Sequence, residues 1–173
     1  MAILSIGQPP APQFDDPLGV LRACHRRMER QLTTLSRLRR HLPLHHADED
    51  ARIAASATMR YFDTAARNHH ADEEMSLLPR LAEADAALVP VIAQLVREHE
   101  DLETRWLRLR PLLTAICARA SGHLPVKDVE AFCEAYRAHI AREEGTLLER
   151  ASEILDAATL AEIGAEMAAR RDL

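Results

Sequence analysis

The stretch RNHHADEEMSLLPR, residues 67–80, packs two histidines and three acids into six positions and returns at once to leucine. From residue 137 to 150 the chain reads RAHIAREEGTLLER. Aligned, the two segments share R-x-H-x-x-x-E-E-x-x-L-L-x-R. Arg67, His69, Glu73, Glu74, Leu77, Leu78 and Arg80 face Arg137, His139, Glu143, Glu144, Leu147, Leu148 and Arg150. Phe62 and Phe132 extend the match at the same offset. Two solvated charged faces would not keep such a register, so the segments read as two copies of one helical element.

A helix advances about 100° per residue, so positions i and i+4 lie within about 40° of each other and can serve one site. His139 and Glu143 satisfy this, and Val129, Phe132, Tyr136 and Leu147 turn the same face toward a core. Glu144 lies five positions from His139, about 140° away, and cannot join it in that manner. The segment from 137 to 150 has a single histidine, which fixes the register. The repeat then selects His69 with Glu73, beside Phe62, Ala66 and Leu77. Apolar phase alone also admits His70 with Glu74, and that register stays open as the alternative.

A second repeat, L-x3-H-x2-[ML]-E-x2-[LW], runs through Leu21, His25, Met28, Glu29 and Leu32 and again through Leu95, His99, Leu102, Glu103 and Trp106. His25 and His99 lie within apolar stripes, whereas Glu29 and Glu103 fall toward the flank. The chain therefore reads as two helical hairpins related by a pseudo-twofold axis. Capping and breaker residues place the elements. Helix 1 begins near FDDPLGV, with Pro17 in its first turn, and runs to about Leu42. Helix 2 spans about Asp48 to Ala82, with Pro79 distorting or ending its last turn. Helix 3 runs from about Ala87 to Ala120 with a kink at Pro111. Helix 4 covers about Val126 to Ala151, and a short fifth helix follows Asp156. Short polar connections favour antiparallel neighbours, which makes an all-α, up-down-up-down four-helix bundle over residues 16–173. Residues 1–15, with Pro9, Pro10 and Pro12, form an N-terminal arm outside it.

Four imidazoles and two carboxylates turned inward are costly unless something neutralises them. No lysine or arginine is placed to do so, but two divalent or trivalent cations would. Nitrogen and oxygen donors without thiolate suit non-haem iron, manganese or zinc, and carboxylates suit bridging. Symmetry suggests two histidines per ion with both glutamates shared, leaving room for a bridging oxygen atom and an exogenous ligand. His41, His45, His46 and His123 read as polar residues of helix ends and turns.

Composition sets the outer limits. With 173 residues, few aromatics and five glycines, one helical domain is favoured. A net charge of −5 with interleaved signs offers no basic stripe for nucleic acid. Cys24, Cys117 and Cys133 are an odd, scattered set, suggesting small buried residues rather than disulfides or a thiolate zinc site. No run approaches the roughly 20 apolar residues needed to span a bilayer, and no secretory leader is visible. A cytoplasmic location without a membrane partner is the expectation.

Over residues 16–171 the sequence resembles the hemerythrin-like family of HHE cation-binding domains. The resemblance rests on DPLGVLRACHRRMERQL, RNHHADEEMSLLPRL, REHEDLETRW, YRAHIAREEGTLLERA and the closing LAEIGAEMAARR. It implies a left-handed four-helix bundle around an oxo- or hydroxo-bridged di-iron centre that binds dioxygen or senses oxygen, nitric oxide or iron. The metal ligands carried over by position are His25, His69, Glu73, His99, His139 and Glu143. Oxygen-carrying members resemble H-x3-H on the third helix and H-x4-D on the fourth, where this chain has His99-x3-Glu103 and His139-x3-Glu143. Relative to that pattern one histidine is missing. His46, in the HHAD that follows helix 1, could supply an extra ligand, as in members resembling iron-sulfur cluster repair proteins. Those members carry an additional N-terminal cysteine-containing domain without counterpart in this sequence.

The function expected is a metal protein binding dioxygen, nitric oxide or peroxide for sensing, storage or stress response, with two iron ions, or manganese or zinc in their place. A binding protein is preferred over an enzyme. The alternatives are a di-iron oxidase or peroxidase, a repair protein, and a redox-silent, metal-stabilised interaction module.

Overall fold

The computed structural model describes residues 13–172, which form an all-α bundle of five helices, with no strand among the described residues. Helix α1 is Pro17–His45. Helix α2 spans 49–84 and α4 spans 126–154, each continuous but interrupted by wider turns. Helix α3 is Val89–Cys117 and α5 is Ala157–Ala169. The proline-rich arm expected over residues 1–15 lies, up to residue 12, outside the described residues.

Aspartates set three of the starts. Asp16 accepts from the Gly19 backbone N–H at 2.9 Å, Asp48 from Ala51 at 2.9 Å and Asp156 from Thr159 at 2.8 Å. Each satisfies one of the backbone donors that a helix start leaves free. Pro17 sits in the first turn of α1, where its missing N–H costs nothing. Pro79 does not end α2, which continues to Ala84.

Cross-helix contacts give the chain directions. Between α2 and α3, Arg67 meets Glu103, Asp63 meets Trp106 and Arg110, Met59 meets Thr114 and Arg52 meets the Cys117 carbonyl. Rising numbers on one helix pair with falling numbers on the other, so the two run antiparallel. Helices α1 and α4 behave alike, through His25 with Glu144, Glu29 with Arg137 and Arg39 with Glu130.

The core has two apolar halves. One gathers Met28, Leu32, Phe62, Ala66, Leu102, Trp106, Phe132 and Tyr136. The other gathers Leu18, Leu21, Leu77, Leu95, Leu147, Ile163 and Met167. On every long helix the residues between the halves are the histidines and acids singled out by the two repeats. Phe62 and Phe132, equivalent in the repeat, meet edge to face at 5.1 Å and floor that polar layer.

The wider turns are π-helical, and two of them start at the repeated glutamates: Glu73–Leu77 and Glu143–Leu148. Each inserts one extra residue into its helix, so the adjacent leucines Leu77 and Leu78, and likewise Leu147 and Leu148, are all buried. Pro79 is not the cause. Its counterpart on α4 is Glu149, which has an N–H, yet the same bulge forms there. A third π turn, Tyr61–Ala65, has no counterpart on α4.

Candidate metal centre

His25, His69, Glu73, His99, His139 and Glu143 are all buried, and their functional atoms converge between the two apolar halves. The imidazoles come in two pairs. His25 Nε2 and His69 Nε2 are 3.1 Å apart, and His99 Nε2 and His139 Nε2 are 3.2 Å apart. Within each pair the ring centroids are 4.8 Å apart and the rings are steeply inclined, by 75° and 71°. Two imidazoles at right angles around one ion, each with its nitrogen about 2.1 Å from it, would have nitrogens about 3.0 Å and centroids about 4.6 Å apart.

Glu73 lies between the pairs. Its Oε1 is 2.8 Å from His69 Nε2 and its Oε2 is 3.2 Å from His99 Nε2. Glu143 Oε2 is 3.1 Å from His25 Nε2, 3.7 Å from His139 Nε2 and 3.9 Å from His69 Nε2. Both oxygens of Glu73 and Oε1 of Glu143 nevertheless have no hydrogen-bond partner. His25 Nε2 does bond Glu143 Oε2, but His69 and His99 come close to Glu73 without lining up on its oxygens, as groups directed at a shared third atom would. A buried carboxylate without partners is expensive unless a cation is meant to sit beside it.

The outer faces of the rings are held by acids. His25 Nδ1 meets Glu144 Oε1 at 2.8 Å, His99 Nδ1 meets Glu74 Oε1 at 2.6 Å and His139 Nδ1 meets Glu98 Oε2 at 3.0 Å. With Nδ1–H donated outward, a neutral ring presents the Nε2 lone pair to the centre, the arrangement that orients metal-bound histidine. Were both rings neutral, His99 and His139 would face each other with two lone pairs 3.2 Å apart. They repel unless a positive ion separates them.

Charge within the cluster is out of balance. Burial alone would depress the imidazoles, yet the carboxylates of Glu143 and Glu73 raise His25, His69 and His99 above the ordinary value. His139, where burial prevails, falls to about 4. Burial also resists ionisation of Glu73, but His69 and His99 hold it well below the usual carboxylate range. Burial and the neighbouring charge of Glu73 push Glu143 up to about 7. Two buried acids that share their histidine partners disfavour each other's ionisation, and a bound cation would favour the charged form of both.

The structure brings together all six residues chosen by the repeats. His70, the alternative register, is also near: its ring stacks on His99 at 4.0 Å and 11°. Its would-be partner Glu74 instead holds the outer face of His99. His46 does not take part. It is exposed beyond the end of α1, 21 residues past His25 and so about 30 Å along the helix axis. Glu29 and Glu103 are drawn outward by Arg137 and Arg67, the repeat-equivalent arginines, at 3.2 and 2.8 Å.

Sequence reasoning did not assign the outer acids Glu74, Glu98 and Glu144. The doubled glutamate of both repeats was the available signal. The first acid of each pair faces the centre from its own helix, and the second reaches a histidine on the neighbouring helix.

A family model described as Hemerythrin HHE cation binding domain matches residues 16–151, and the chain belongs to that family. A Haemophilus influenzae protein described as uncharacterized is 31% identical to it over 160 residues, 92% of each chain. The cluster His25, His69, Glu73, Glu143 and the cluster His70, His99, His139 each bring donor atoms within 4.8 Å of one another.

Proposed function

We propose that the chain is a non-haem di-iron protein that takes up dioxygen or a related small molecule, nitric oxide or peroxide, for sensing, storage or stress response. His25 and His69 would hold one ion, His99 and His139 the other, with Glu73 and Glu143 shared between them. The observation that carries this reading is the facing pair of Nε2 atoms of His99 and His139, each ring fixed by a carboxylate on its far nitrogen. Donors of nitrogen and oxygen alone favour iron, with manganese or zinc as the alternatives. When bound, the ions supply the redox chemistry.

The side chains do the rest. Glu144, Glu74 and Glu98 keep three rings in one tautomer and orientation. Phe62, Phe132 and the leucines on the other side keep bulk water from the layer between them. Arg67 holds Glu103 outward, so α3 contributes one nitrogen and the centre keeps room for an exogenous ligand. No helix among the described residues is long and apolar enough to cross a membrane.

The test is the iron content of protein prepared with iron(II) under nitrogen, followed by its absorption spectrum before oxygen, after oxygen and after its removal. Two irons per chain with an oxygen-dependent near-ultraviolet band support the reading. Fewer than two irons, or a spectrum indifferent to oxygen, nitric oxide and peroxide, would sink it.

A further inference from the structure

His70 is the one histidine of the polar layer that neither repeat selected. Its Nε2 is buried and has no hydrogen-bond partner. An imidazole nitrogen stranded in that way is destabilising, so it marks a place where a partner belongs.

That partner is not an ion shared with His99. A ring binds a metal in its own plane, and two rings stacked 4.0 Å apart at 11° have planes that do not meet at a common atom. The pairs that fit an ion are inclined by more than 70°. His70 is nevertheless close to the second pair: its centroid is 5.9 Å from that of His139, and one nitrogen of each of His70, His99 and His139 lies within 4.8 Å of the others.

A surface pocket of about 370 Å³ between α2 and α3 reaches the rings of His70 and His99. His70 and His99 line it together with Arg67, Met75, Val96 and Glu103. The repeat makes the feature one-sided. The position equivalent to His70 on α4 is Ile140, a buried apolar residue, so RNHH becomes RAHI and the first pair has no such imidazole beside it.

We propose that His70 hydrogen-bonds a small polar ligand taken up beside His99 and His139, the ligand entering through this pocket. The inference rests on the di-iron reading and adds which of the two positions receives the ligand and which side chain of the protein touches it. A neutral imidazole serves either kind of ligand, donating to an anion or accepting from a protonated oxygen. Of the pocket's other polar groups, Arg67 is paired with Glu103 and Glu74 with His99, and Glu100 is a carboxylate that cannot donate to an anion, which leaves His70 as the neutral imidazole with an unpartnered nitrogen.

Azide is a suitable probe, since it binds ferric iron, accepts hydrogen bonds and produces a charge-transfer band. Wild-type protein, His70→Phe and His70→Asn are loaded with iron, oxidised in air, assayed for iron per chain and titrated with azide. All three are expected to hold two irons. His70→Phe, which keeps the stack on His99 but removes the hydrogen bond, should bind azide about ten-fold more weakly. His70→Asn should recover part of that loss.

Unchanged azide affinity in His70→Phe at full iron content overturns the proposal. Loss of one iron in both variants also overturns it, by making His70 a metal ligand. A wild-type chain that fails to hold two irons removes the underlying reading itself, an outcome visible before any azide is added.

Discussion

Glu98 and Cys24 stand at equivalent places in the two halves of the bundle, each directly before the inward histidine of its helix, and only one of them is an acid. Glu98 takes the outer nitrogen of His139 at 3.0 Å. His69 Nδ1, which the pseudo-twofold would give to position 24, has no carboxylate and lies by the Cys24 thiol. A carboxylate behind a metal-binding imidazole makes it more basic and fixes its orientation, and removing one typically costs 10–100-fold in metal affinity. The two proposed metal positions would therefore be unequal. Glu98→Gln is expected to weaken one of two metal sites by about 10–100-fold in a competition titration against a coloured chelator. Cys24→Ala should move either constant by less than about three-fold, since a thiol is a weak hydrogen-bonding group. Equal effects of the two substitutions would remove the asymmetry.

The convergence of these six side chains was readable because two independent repeats place them inward at matching offsets. The elements were readable for a similar reason: aspartate caps and apolar stripes place each helix to within a few residues. Three features were hidden. The π turns at Glu73 and Glu143 have no periodicity of their own; the double leucines Leu77–Leu78 and Leu147–Leu148 reflect them, but only once both members are known to be buried. The outer acids Glu74, Glu98 and Glu144 bind across helices, and such pairing is invisible to reasoning within one helix. The stacking of His70 on His99 depends on ring orientation, which sequence phase does not specify. His46 enters the ligand set by resemblance alone, and its exposed position at the end of α1 keeps it away from the cluster.

Glu143 separates the metal reading from a purely structural one. Its carboxylate is within 3.1–3.9 Å of three of the four histidines, and the metal-free protein holds it up to about 7 through burial and the charge of Glu73. Glu143→Gln keeps the volume and removes the charge that a shared ligand must carry. The metal-free variant should be at least as stable as metal-free wild type near pH 8, because a buried anion has been replaced by a neutral amide. Metal analysis of the loaded variant should show the loss of at least one ion per chain. Full occupancy would take Glu143 out of the ligand set.

Asp72, beside Glu73 on α2, is buried and acidic, and it is not directed at the centre. It accepts from Arg170 and Arg171 at the end of α5, Arg171 Nη1 lying 3.1 Å from its Oδ1, while Arg170 also reaches Ser76 Oγ at 2.9 Å. These contacts anchor the fifth helix to the turn that carries the glutamate of the site. Removing one member of a buried ion pair leaves the other uncompensated and costs about 3–5 kcal/mol when both are fully buried. The arginines are partly exposed, at 19% and 18% of their side-chain surface, so about 2–3 kcal/mol is expected for Asp72→Ala. That corresponds to a fall of about 4–12 °C in melting temperature, read by circular dichroism on metal-free protein. A shift below 1 °C would mean that α5 is held by its apolar face alone, through Ile163 and Met167.

Asp63 supplies a pH test away from the proposed metal ligands. It accepts from Trp106 Nε1 at 2.9 Å and from Arg110 Nε at 3.0 Å, tying α2 to α3 next to the aromatic floor. Burial works to raise its carboxyl, but the bonds from Arg110 and Trp106 outweigh it and hold the folded value below the ordinary 3.8. A depressed folded value means that this carboxylate contributes stability above pH 3.8, and that the contribution fades as the pH falls through the folded value. Arg110 is half exposed, so solvent limits the effect to about 1 kcal/mol at pH 7. Urea unfolding of metal-free Asp63→Asn should therefore show a deficit of about 1 kcal/mol against wild type at pH 7, closing as the pH is lowered toward 3. A deficit that stays constant across this range would assign the loss to altered packing around Trp106 and not to the charge on Asp63.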